Sequence, residues 1–181
     1  MKIRKVIDIC VKSGSVELRR APGCQWVGDG GAQYAFYNLP VLDCESAPTL
    51  FDIPSEKASM VRMIHALPPV LCEVYEEEVP VERDMLASRF CPDGLVPFAA
   101  RTGLIFIKQK YLTPFKDDDR VFFFERCGCI AVKVGMTLSA VIAPYKVINK
   151  EYLDGLSAYL EDCRRTLGEN DENEDEVSFY E

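Results

Sequence analysis

His65 is the only histidine among 181 residues, and any Ser-His-Asp or Cys-His catalytic set would have to use it. No Gly-x-Ser-x-Gly nucleophile elbow accompanies it. A zinc hydrolase built on two or three histidines is excluded by the count. Beside Ile64 and Leu67 in a run of helical spacing, His65 reads as a partly buried helical residue. The eight cysteines (10, 24, 44, 72, 91, 127, 129 and 163) supply thiols, but only Cys127-Gly128-Cys129 brings two together. That spacing is one residue short of the Cys-x-x-Cys knuckle of structural zinc sites. Without a secretion signal the cysteines are expected to be reduced and mostly buried as small hydrophobes. No catalytic residue, metal site or cofactor is expected.

Two further constellations invite chemistry and are better explained by structure. Gly28-Asp29-Gly30-Gly31 is rich in glycine like a phosphate cradle, yet it lacks Gly-Lys-Ser/Thr and does not join a strand to a helix start, so it reads as a loop. Trp26, Tyr34, Phe36 and Tyr37 have the composition of a base-stacking platform, whereas alternation along strands assigns such residues to a core. Acids are numerous, but no spacing singles out a catalytic or metal-binding pair.

Charge distribution is more informative. The formal net charge is -8, but residues 168–181 contain seven acids and no Lys or Arg, leaving 22 acids against 21 bases in residues 1–167. Within that body, residues 1–24 carry six bases and two acids, residues 101–149 eight bases and four acids, and residues 41–100 eleven acids and four bases. The acidic middle peaks at Glu73, Glu76, Glu77, Glu78, Glu82 and Asp84, a candidate protein-binding patch suited to a basic groove. A solvated face is the structural alternative. Lys108, Lys110, Lys116, Arg126 and Lys133, on successive β-rich segments, are the candidate phosphate contacts if the protein binds nucleic acid instead.

The elements that must position these residues follow from periodicity. Residues 3–10 and 15–20 read as an opening hairpin around Lys12-Ser13-Gly14, and residues 24–37 as another strand pair or a bulged strand around the glycines. Met60, Met63, Ile64 and Leu67 predict a helix over 53–67, stopped by Pro68-Pro69. Residues 70–75 read as a strand and 82–90 as a short helix. Segments 104–111, 121–126, 130–134 and 137–142, joined by linkers too short for a crossover helix, predict an antiparallel meander. A closing helix is expected from the N-cap Asn149 to Leu167, with Leu153, Leu156, Leu160, Cys163 and Leu167 along one face and Gly168 as its stop. Residues 169–176 contain no hydrophobe and are expected to be disordered, and Val177, Phe179 and Tyr180 then read as a frayed end rather than a docking motif.

The expected fold is a single α+β domain over 1–167: a mostly antiparallel sheet, an N-terminal hairpin, a meander in the C-terminal half, two to three helices including the closing one, and an acidic tail over 168–181. No stretch approaches the roughly 20 apolar residues of a membrane helix, and a cytoplasmic protein is expected.

Several segments carry a resemblance: the opening Met1-Lys2-Ile3-Arg4-Lys5-Val6-Ile7-Asp8-Ile9-Cys10, Gln25-Trp26-Val27-Gly28-Asp29-Gly30 with Ala32 and Tyr34, Leu39-Pro40, Phe51-Asp52-Ile53, Ile130-Ala131-Val132-Lys133-Val134-Gly135, and Ile142-Ala143-Pro144. In these the chain resembles a family of small proteins from prophages and mobile elements of Gram-positive bacteria, and is similar to anti-CRISPR proteins acting on type II RNA-guided nucleases. The resemblance implies an accessory protein in the cytoplasm of a bacterial host, whose partner is a host defence nuclease or its guide complex and which inhibits without catalysis. It assigns no role to the acidic tail or to Cys127-Gly128-Cys129. A nucleic-acid-binding accessory protein of phage replication or regulation, and an enzyme of other chemistry, are the competing readings.

Overall fold

The computed structural model describes residues 1–101, 103–146 and 149–174. Their architecture is α+β. Eight strands form one sheet in the order β4-β1-β2-β3-β11-β10-β9-β5, and β6-β7-β8 form a second. The strands are β1 Val16–Ala21, β2 Cys24–Gly28, β3 Ala32–Phe36, β4 Val61–Met63, β5 Val79–Pro80, β6 Glu82–Arg83, β7 Leu95–Ala100, β8 Gly103–Lys108, β9 Val121–Arg126, β10 Cys129–Val134 and β11 Thr137–Ile142. Every pairing is antiparallel except β1 with β4.

The first segment departs from expectation. Residues 3–10 are not a strand but lie in helix α1, Ile3–Ser13, which buries Val6, Ile7, Ile9 and Cys10. The same residues that alternate with charge also recur at helical spacing, and burial against the sheet decides between the two periods. Gly14 ends α1 in the left-handed conformation, φ 75°, where its N–H bonds the Cys10 and Val11 carbonyls. The true N-terminal hairpin is β1–β2, turning at Pro22-Gly23. The strand pair expected over 24–37 is β2–β3.

Residues 53–67 are not a continuous helix either. A short helix α2, Ser46–Leu50, precedes them, and Ser55–Met60 is a 3-10 helix. Val61–Met63 is then drawn out as β4 because it pairs in parallel with Val16, Glu17 and Leu18. β-branched Val61 suits that edge better than a helix. The strand expected over 70–75 is a 3-10 turn, Pro69–Leu71, followed by loop, and the helix expected over 82–90 is only Ala87–Arg89, with Glu82–Arg83 extended as β6.

In the C-terminal half, β9, β10 and β11 form the expected meander, with a bulge at Val132/Lys133. β8 does not join it. It pairs with β7, which escaped the sequence reading, and a 3-10 helix, Gln109–Phe115, carries the chain from the small sheet to the large one. Ile105 and Ile107 of β8 join the main core beside Val6, Leu18, Tyr34 and Ile130, whereas Phe106 faces Leu156 and Leu160 of the closing helix. That alternation is the period of a strand buried on both faces.

The closing helix α3, Lys150–Glu174, begins as expected, with Asn149 Oδ1 accepting the N–H groups of Glu151 and Tyr152 at 2.9 and 3.3 Å. Gly168 does not stop it. An interior glycine costs a helix only about 1 kcal/mol relative to alanine. The helical backbone is described as far as Glu174, and 175–181, with Val177, Phe179 and Tyr180, lie outside the described residues. Among the described residues no helix is long and apolar enough to cross a membrane.

Candidate functional site

Residues 64–78 cross the face of the large sheet that carries Trp26. Leu67, Val70 and Leu71 of this strap pack with Trp26, Ala35, Ala131, Leu138 and Val141 in a second core. The near end is tied by the Ile64 N–H, which donates to the Leu18 carbonyl at 2.8 Å. The far end is tied by Arg126, the last residue of β9, whose side chain is fully buried.

Arg126 commits all five of its N–H donors to the strap. Nη1 donates to the carbonyls of Val70 (3.2 Å) and Cys72 (2.6 Å), Nη2 to the carbonyl of Glu73 (3.2 Å) and Oε2 of Glu78 (2.6 Å), and Nε to the same Glu78 oxygen (3.1 Å). Its guanidinium also lies 5.5 Å from the Tyr75 ring centroid. The other oxygen of Glu78 meets Lys133 Nζ at 2.6 Å. A buried charge is tolerated only when paired and fully hydrogen-bonded, and Arg126 meets both conditions.

Glu73 locks the strap to β11 by a second route. Its Oε1 accepts the Leu138 N–H at 3.1 Å, and its Oε2 lies 3.2 Å from the Tyr37 hydroxyl, which donates to the Leu138 carbonyl at 2.8 Å. Burial, then the adjacent Glu73 charge, pushes the Tyr37 phenol well above its ordinary range, so it remains a donor.

The six candidate acids therefore separate. Glu73 and Glu78 belong to the strap's anchors. Asp84 is buried, accepts the Ala87 N–H at 2.8 Å and pairs with Arg164 of α3, so it caps the turn Ala87–Arg89 and holds the closing helix. Glu76, Glu77 and Glu82 are exposed and form no ion pair among the described residues. Val74, 82% exposed, and Met85, 74% exposed, give the same segment two apolar side chains in solvent. Sequence reasoning missed both, together with Arg126 as an anchor. A signal was present, since an arginine ending a strand as apolar as Val121-Phe122-Phe123-Phe124 demands a buried partner.

The candidate phosphate contacts lie in different settings rather than in one exposed cluster. Arg126 is buried, Lys133 is spent on Glu78 and stacks 4.6 Å from the Phe124 ring, and Lys110 pairs with Asp29 at 3.3 Å. Lys108 lies over Tyr145 at the end of the small sheet, and exposed Lys116 lines a groove together with Asp118 and Asp119. Trp26, Tyr34 and Phe36 are core residues, as the alternation implied.

The glycine loop is shaped from within. Asp29 Oδ1 accepts the N–H groups of Gly31 and Ala32 at 3.0 and 3.2 Å, while Oδ2 meets Lys110 and the Tyr111 hydroxyl. Tyr111 lies so close that a Cβ on Gly31 would be 2.1 Å from its hydroxyl. Burial and the Asp29 charge push the Tyr111 phenol up, which keeps it a donor to that carboxylate.

His65 is not helical and not buried. It follows β4 on an exposed stretch and lines a cleft of about 450 Å³ with Arg20, Asp43, Cys44, Glu45 and Met63. Hydrogen bonds from the backbone and side chain of Ser46, and then from the Glu45 backbone, hold the Asp43 carboxyl below its ordinary range, so that Oδ1 serves the start of α2. Of the eight cysteines, Cys44, Cys72 and Cys127 are exposed and only Cys10 is fully buried, so the expectation of mostly buried thiols holds for a minority. Among the described residues no group of three or more His, Cys, Asp or Glu side chains could hold a metal ion.

No protein-family model, curated protein or solved structure matches the chain, so the resemblance to prophage proteins rests on its own residues.

Proposed function

We propose that the protein acts without catalysis as a phage-type accessory factor that binds and inhibits a host defence nuclease of the RNA-guided type II class, using the strap and the turn after it as the contact surface. The observation that carries this reading is the anchoring of the strap by the five donors of Arg126, which leaves Glu76 and Glu77 in solvent beside Val74. A loop already held in one conformation pays less ordering entropy on binding. Exposed acids around an apolar knob complement the positively charged channels in which such nucleases hold guide and target. The charge reading moves accordingly from six acids to three: Glu76, Glu77 and Glu82.

The test is target cleavage by several type II effector–guide complexes with the purified protein at saturation. At least one effector should be suppressed, with no consumption of the protein. Unimpaired cleavage by all of them would overturn the proposal.

A further inference from the structure

Between Val79 and Arg83 the chain leaves the large sheet for the small one. Val79–Pro80 pairs with β9, the Val81 N–H donates to the Phe123 carbonyl at 3.0 Å, and Glu82–Arg83 pairs with β7. Beside this crossing lies a groove of about 500 Å³, whose apolar lining is Val121 and Phe123 of β9, Val96 of β7, and Leu112 and Phe115 of the 3-10 helix that joins the two sheets.

Arg83 lines the same groove, is exposed, and holds its guanidinium 5.1 Å from the centroid of the Phe123 ring. That ring is itself fixed by packing against fully buried Phe98, the two centroids 4.9 Å apart. Stacking occupies the flat face of a guanidinium and leaves the N–H groups along its edge to donate elsewhere. Among the described residues the arginine side chains that donate hydrogen bonds or pair with acids are those of Arg19, Arg62, Arg126, Arg164 and Arg165. Arg83 is not among them. Its fork is open to solvent at the groove, the reverse of the buried and fully committed Arg126.

The neighbouring charges select the ligand. Asp118 is engaged internally, with Oδ2 3.6 Å from the N-terminal ammonium and Oδ1 accepting the Arg120 N–H at 3.3 Å. Lys116 and Asp119, both exposed groove residues, form no ion pair among the described residues. Two open cations beside one open acid suit a ligand with a single negative charge. A phosphate monoester carries about -1.5 to -2 at neutral pH and would set the excess against Asp119. We infer that the groove binds a monocarboxylate with an apolar body. The carboxylate accepts two parallel N–H bonds from Arg83, and the body lies on the apolar lining. This site is separate from the exposed acids of the strap and does not depend on their role.

Nitrogen-15 NMR of the full chain with phenylacetate as the probe tests the inference. Saturable shifts are expected at Arg83 Nε and at the backbone amides of Val96, Leu112 and Phe123. Phenylacetamide keeps the body and loses the charge, acetate keeps the charge and loses the body, and phenyl phosphate carries the second charge. Each should bind at least about tenfold more weakly than phenylacetate. Arg83→Gln, a change at an exposed side chain, should keep a folded spectrum and lose at least about tenfold in affinity, and Arg83→Lys, which keeps the charge and loses the fork, should fall between the two. If Arg83→Gln does not fold, the comparison of the four probes on the unaltered protein decides alone. Non-saturable shifts, equal affinities for phenylacetate and phenylacetamide, or an unchanged affinity in folded Arg83→Gln would overturn the proposal. Tighter binding of phenyl phosphate would overturn the assignment of a carboxylate.

Discussion

Arg126 and Glu78, 48 residues apart in sequence, meet through two hydrogen bonds to one carboxylate oxygen, 2.6 Å from Nη2 and 3.1 Å from Nε. The contact converts an acid that looked available for a partner into one end of an internal brace. Removing one member of a buried pair leaves the other charge uncompensated, at a cost of about 3–5 kcal/mol. Arg126→Met should therefore lower unfolding free energy by about that amount in a urea titration. Arg126→Lys keeps the charge but not the fork. It should lose less stability, while limited proteolysis between residues 70 and 78 becomes faster than in the unaltered chain.

Asp84 separates a cap from an ion pair. Its bond to the Ala87 N–H is buried, whereas its partner Arg164 has a side chain 52% exposed. Loss of a cap costs about 1–2 kcal/mol, and a pair with an exposed partner contributes under about 1 kcal/mol. Thermal unfolding should show Asp84→Ala as more damaging than Arg164→Ala, with the latter close to neutral in high salt.

Two glycines are fixed by neighbours of different compliance. A Cβ on Gly28 would sit 1.9 Å from the backbone oxygen of Ala32, and one on Gly31 would strike the Tyr111 side chain. Gly28→Ala should exceed the roughly 1–3 kcal/mol typical of overpacking. Gly31→Ala should fall within that range and should cost less in a Tyr111→Ala background. Double-mutant cycles by denaturant unfolding measure both.

Cys10 gives stability a pH dependence of known sign. Burial, and secondarily the charge of Asp29, pushes its thiol up to about 12 from an ordinary 9.0. Below pH 9 both folded and unfolded chains keep the proton. Above it only the unfolded chain loses the proton, so this contribution to stability declines as pH rises from about 9 to 12. Cys10→Ala should lessen the decline in denaturant titrations at pH 8 and pH 10.5. In the native protein Cys44, Cys72 and Cys127 should react quickly with a thiol reagent, and Cys10 only on unfolding.

Where residues carried a period that only one element satisfies, the fold was legible. The meander β9–β11, the pair β2–β3 and the Asn149 cap followed from alternation, short linkers and one side chain. Residues 3–10 satisfied two periods at once, because Ile3, Ile7 and Ile9 alternate with charge while Ile3, Val6, Ile7 and Cys10 lie at i, i+3, i+4 and i+7. Met60 to Leu67 had helical spacing but lost it to a parallel partner 45 residues earlier, Val16 with Val61. Local pattern holds no information about such a contact. The acidic cluster was legible as charge and illegible as structure, since Arg126 and Leu138, which bind Glu78 and Glu73, lie far along the chain.

The central claim is that the braced strap presents Glu76 and Glu77 to a basic partner. It is tested most directly by the equilibrium affinity of an effector–guide complex for the full chain and for Glu76→Lys/Glu77→Lys, both substitutions lying in solvent and outside the brace. The doubly reversed variant should unfold at the same temperature as the parent and bind at least tenfold more weakly, with the difference shrinking as salt rises. Equal affinities for two equally folded proteins would contradict the claim.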